Sequence, residues 1–157
     1  MLQRIQSIYL LLASLAIFAL FLFPLVHNVN VDGKSINISV TGVYQNTNVP
    51  NYTQPTHTFT GLMIATVVLG IIPLVIIFLY KNRKQQVALC YSTLLAVIGY
   101  SFWMSQAVKP FLGDAQIDTH NGGIGLLLSS ISIIFIIMAA KAINRDEKLV
   151  KSADRLR

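Results

Sequence analysis

The chain has 157 residues, of which 54% are hydrophobic and 11% charged, with a formal net charge of +6. Soluble domains carry about 25% charged residues, so a water-soluble fold of this size could not hide so much apolar side chain in one core. The single cysteine, Cys90, excludes an intrachain disulfide, a CxxC redox pair and a zinc ribbon.

Four stretches contain no Asp, Glu, Lys or Arg: Ile5–Val26, Thr58–Tyr80, Val87–Val108 and Asn121–Ala140. Each is about as long as the 20 apolar residues a helix needs to cross the hydrocarbon layer. The predicted fold class is therefore all-α: a membrane protein with a bundle of four transmembrane helices in one domain. The helices fall at about residues 5–26, 58–80, 87–108 and 121–143, with an outward loop at 27–57 and a cytoplasmic tail at 144–157.

The first stretch could be a signal peptide or a retained span. A cleaved signal has an apolar region of about 7–15 residues before a small-x-small site. Here the run is longer and ends in FPLVHNVN, which offers no such site. The expectation is a retained helix, with Ala13, Ala16 and Ala19 placing small side chains near one face.

The outward loop contains VNVDGKSINISVTGVY, where alternating apolar residues flank Asp32-Gly33. That pattern predicts a β-hairpin. A lone hairpin is marginal in water, so its apolar face should rest on the helix ends or on a partner. The following TNVPNYTQPTH, with Pro50 and Pro55, reads as irregular extended chain. Asn37 and Asn51 match the glycosylation pattern, a match that is common by chance and that would mean nothing in a bacterium.

In the second helix Pro73 removes one backbone hydrogen bond and should kink it. In the third, Ser92, Ala96 and Gly99 form a ridge of small residues, and Tyr100, Ser101, Ser105 and Gln106 give a polar outer half. Tyr100, Ser105 and Gln106 could line a pocket for a quinone, lipid or peptide; close helix packing through the ridge explains the same residues. Trp103 suits an outer aromatic belt with Phe23, Phe59 and Phe111. In the fourth, Gly125 and Ser129 make a small-xxx-small pair for close packing.

Lys and Arg near span ends stay on the cytoplasmic side. One side holds Arg4, Lys81, Arg83, Lys84, Lys141, Arg145, Lys148, Lys151, Arg155 and Arg157; the other holds only Lys34 and Lys109. Both termini are expected in the cytoplasm. No recognition motif accompanies the positive charge, so nucleic acid is not an expected partner. The bilayer, other membrane subunits and further copies of the chain are. No cofactor is implied, although His27, His57 and His120 share the outer side and could ligate a metal or haem if they converged. Histidine also suits headgroup depth without binding anything.

In outline the layout is similar to that of claudin-like proteins, but the paired cysteines and tryptophan pattern of their loop are missing. The N-terminal MLQRIQSIYLLLA, with four spans, an outward polar loop and a basic tail, resembles a family of uncharacterised four-helix bacterial inner-membrane proteins. The resemblance implies an inner-membrane location and no particular activity. Three functions follow as expectations: a non-enzymatic accessory or scaffold subunit, an oligomeric carrier or channel for a small or lipophilic molecule, or a metal- or haem-binding redox protein.

Overall fold

The computed structural model describes residues 3–31, 34–45, 55–79, 82–112 and 124–154. In chain order the elements are helix α1 (Gln3–Phe18), a 3-10 turn (Ala19–Phe21), strands β1 (Val26–Val31), β2 (Lys34–Ser39), β3 (Gly42–Gln45) and β4 (Pro55–Thr58), and helices α2 (Thr60–Phe78), α3 (Arg83–Leu112) and α4 (Ile124–Asp154). The fold is mostly helical with a small antiparallel sheet.

The first helix is shorter than the apolar run that suggested it. It ends at Phe18, tightens through the 3-10 turn, and Val26 already belongs to β1. Pro24 disfavours helical backbone at the residue before it and has no N–H to continue a ladder. Beyond it the chain stays apolar for a different reason, because Leu25, Val26 and Val29 point into the sheet's buried face.

The hairpin is one part of a four-stranded sheet of order β1-β2-β3-β4. Val31 pairs with Lys34 at the hairpin end, and Val29 opposes Ile36. The segment expected to be irregular corrects differently along its length. Residues 46–54 lie outside the described part, but Pro55–Thr58 forms β4, an edge strand, which is the position in a sheet where proline is tolerated. β3 and β4 approach so closely that a Cβ at Gly42 would collide with the His57 carbonyl oxygen. Ile36, Ile38, Val40 and Val43 alternate inward along β2 and β3 and join the helices in one apolar cluster. The sheet thus caps one end of the bundle.

Helix α1 packs along both α2 and α4, and α3 packs along α4. Between α1 and α2 the backbone approach is close: a Cβ at Gly70 would lie 2.7 Å from the Phe18 ring. Beside it Ser14 Oγ donates to the Gly70 carbonyl at 2.7 Å. Helix α2 runs through Pro73, which is buried inside it. At the sheet end, the Gly125 N–H donates to the Pro24 carbonyl at 3.1 Å, tying the first turn of α4 to the entrance of β1.

Candidate functional site

Helices α2 and α3 touch less than the other neighbouring pairs, and a groove opens between them. Its half nearer the sheet has a volume of about 400 Å³ and is lined by Gly61, Ala65, Val68, Ala96, Gly99 and Trp103 among others. Its other half, about 410 Å³, is lined by Ile72, Val75, Ile76, Leu89, Ser92, Thr93 and Ala96. Spacings of three and four residues place each set along one helix face. Ala96 lines both halves.

The ridge Ser92, Ala96 and Gly99 therefore does not pack against a neighbouring helix of its own chain. All three are exposed. An added Cβ at Gly99 would meet no heavy atom within 4 Å. Gly70 on α2 and Gly125 on α4, by contrast, do pack closely. Ser129 is buried, as is Ser132, whose hydroxyl donates to the Ser129 carbonyl at 2.7 Å.

The polar residues of α3 separate in the same way. Tyr100 is buried, and its hydroxyl lies 2.6 Å from Thr66 Oγ1 on α2. Thr66 spends its one hydroxyl proton on the Leu62 carbonyl at 2.7 Å, so Tyr100 is the donor between the two helices. Ser105 and Gln106 lie on exposed parts of α3 and do not line the groove with Tyr100. Of the three, only Tyr100 lines this groove. What the groove offers is a long apolar trough with the Tyr100–Thr66 hydroxyl pair behind its wall.

His27 and His57 are both exposed and sit on β1 and β4, the two edge strands. Three strand intervals of about 4.8 Å separate them. His57 stacks at a tilt on Phe111, with ring centroids 5.2 Å apart, and Phe111 also meets Phe59 edge-on. His120 lies outside the described residues. Among the described residues no group of three or more His, Cys, Asp or Glu side chains is arranged to hold a metal ion.

Over residues 2–156 the sequence matches the family described as a domain of unknown function, DUF4293. The chain belongs to that family. No curated protein matches it. The match covers nearly the whole chain, so helices, sheet and groove all fall inside the family's domain.

One buried polar contact has no counterpart in the sequence reading. Gln6 on α1 and Asp146 on α4 are each 7% exposed. The Gln6 amide donates to the Asp146 carboxylate and, at 3.4 Å, to the Ala142 carbonyl. Asp146 falls in the stretch NRDEKLVK, whose charge reads as a solvated tail. The available signal was its spacing: Asp146 follows Ala139 and Ile143, which are buried at helical intervals. A second amide, Gln86 at the start of α3, is buried and donates to the Ile76 carbonyl at 3.2 Å.

Proposed function

We propose that the protein is a multi-pass membrane protein of the bacterial inner membrane, with both termini in the cytoplasm, acting as a non-enzymatic accessory or scaffold subunit of a membrane complex. The observation that carries this reading is the inversion of its helix surfaces. Leu95, Phe102 and Ile64 are 70%, 67% and 61% exposed, while Thr66, Thr93 and Ser132 are buried. Outward leucine and phenylalanine with inward hydroxyls suit hydrocarbon and not water.

Helix lengths support it. Three helices, Thr60–Phe78, Lys84–Phe111 and Leu127–Glu147, are long and apolar enough to cross a bilayer. The first is shorter, but Gln3–Phe18 with the turn Ala19–Phe21 reaches about 30 Å, the thickness of the hydrocarbon layer. The sheet then lies on the outer side, where Lys34 and Lys109 are the only basic residues.

The scaffold role rests on the groove's half nearer the sheet. Gly99 and Ala96 leave open backbone beside the exposed Trp103. A helix of a neighbouring subunit could approach there as small residues allow in membranes. Photo-crosslinking from a probe at position 103, in place of the exposed Trp103, in native membranes and read by mass spectrometry, is expected to capture a defined protein. Labelling of lipid alone would remove the scaffold role.

A further inference from the structure

The groove's other half ends beside a different chemistry. Below Leu89 by one helical turn on the same face is Gln85, and Asn82 lies a further turn down. Asn82 Nδ2 donates to Gln85 Oε1 at 3.1 Å. Next to them Lys84 is exposed. The connecting stretch KNRKQQ carries Lys81, Arg83 and Lys84 and no acidic residue. Gln85 therefore stands one helical turn beyond Leu89, at the end of the trough of Ile72, Val75, Ile76, Leu89 and Ala96, and the exposed Lys84 precedes it in the chain.

We infer that this half of the groove binds an anionic phospholipid of the cytoplasmic leaflet. One acyl chain lies against Val75, Leu89 and Ser92, and the phosphate group sits at Lys84 and the Asn82–Gln85 pair. The inference rests on the membrane reading above and adds a ligand class to it. Basic residues at the cytoplasmic mouth of a cleft between transmembrane helices hold such headgroups. The apolar wall fixes the chain, and the charge selects the headgroup. From Leu89 to Ala96 the wall rises about 10 Å, which stays within one leaflet of a hydrocarbon layer about 30 Å thick. A lipid anchored on the cytoplasmic side can fill that length and leaves the half nearer the sheet open to a neighbouring helix.

The test uses the full-length protein in dodecyl maltoside micelles, titrated with dioleoyl phosphatidylglycerol or dioleoyl phosphatidylcholine and read by native mass spectrometry. Wild type is expected to retain one phosphatidylglycerol with about five-fold preference over phosphatidylcholine, the contribution of one basic side chain near a headgroup. Lys84→Gln, an exposed substitution, should bring that ratio close to one. Ser92→Leu and Val75→Phe, which fill the trough from opposite walls at exposed positions, should each lower retention of both lipids. Equal retention of the two lipids by wild type would overturn the inference, as would a preference unmoved by Lys84→Gln. So would an unmoved retention in both filled variants, or displacement of the lipid by a second protein chain. Alkaline extraction of native membranes separates the two readings. A chain that stays in the membrane pellet but shows no lipid preference refutes this inference alone, and a chain released by alkali refutes both.

Discussion

Gln6 and Asp146 stand 140 positions apart in the chain and meet through a buried hydrogen bond between α1 and α4. A glutamine amide stabilises a carboxylate here without adding a second charge to the interior. Hydrogen bonds to charged groups are worth about 1.5–3 kcal/mol when one partner is removed. Gln6→Leu is therefore expected to lower stability by about that amount, seen as a lower midpoint of thermal unfolding in detergent. The double variant Gln6→Leu with Asp146→Leu should recover part of the loss, because a buried polar pair replaced as a unit costs less than one member left behind. Strict additivity of the two single effects would show that the contact does not couple the helices.

The Tyr100–Thr66 pair predicts an asymmetry. Tyr100→Phe leaves Thr66 bonded to the Leu62 carbonyl and should cost about 0.6 kcal/mol, the mean for an interhelical hydrogen bond in a membrane protein. Thr66→Val removes the acceptor of a buried tyrosine hydroxyl, at a cost of about 1–3 kcal/mol. Unfolding titrations of the two variants check the order. Equal losses would mean that Tyr100 finds another acceptor.

Two glycines in helices should respond in opposite ways. A Cβ at Gly125 would lie 2.9 Å from the Pro24 carbonyl oxygen and 3.0 Å from Leu25 Cδ2. Gly125→Val should then push α4 off the sheet entrance and destabilise the fold by about 1–3 kcal/mol. Gly99 faces open space, so Gly99→Ala should stabilise α3 by about 1 kcal/mol through helix propensity. Gly99→Leu should keep the fold and lose the crosslinked partner. If Gly99→Leu left crosslinking from neighbouring positions intact, the partner would bind elsewhere.

Most of the helical layout was legible because the outward-facing and core-facing residues of the helices are both apolar, which leaves uncharged runs that composition alone reveals. The same property hid the end of α1: Leu25 and Val26 are as apolar as the helix before them, and only Pro24 marks the change of structure. β4 was obscured because it is four residues long and opens with proline, a signal that also marks a loop. Of the groove, only Tyr100 was legible. Ser92, Ala96 and Gly99 look like a packing ridge in the sequence, and whether such a ridge meets a neighbour depends on how α2 and α3 diverge. Asp146 was masked by the charges around it, since a local window weighs Arg145, Glu147 and Lys148 equally with Asp146, which is buried.

The positions of His27 and His57 on opposite edges of the sheet bear on metal binding. Dialysis against a chelator is expected to leave the thermal midpoint of the purified protein unchanged, since a metal held only by the folded state would stabilise it by mass action. A clear fall in the midpoint, restored by zinc or copper, would mean that the outer histidines do share an ion.

The proposed topology has four crossings of the membrane, with the sheet outside and the α2–α3 connection inside. Single cysteines at position 57, exposed on β4, and at position 84, exposed at the start of α3, test this directly, because the native Cys90 is buried. A membrane-impermeant maleimide added to intact spheroplasts should label His57→Cys and leave Lys84→Cys unlabelled until the cells are lysed. Labelling of Lys84→Cys in intact spheroplasts, or release of either protein from membranes by alkali, would contradict the account.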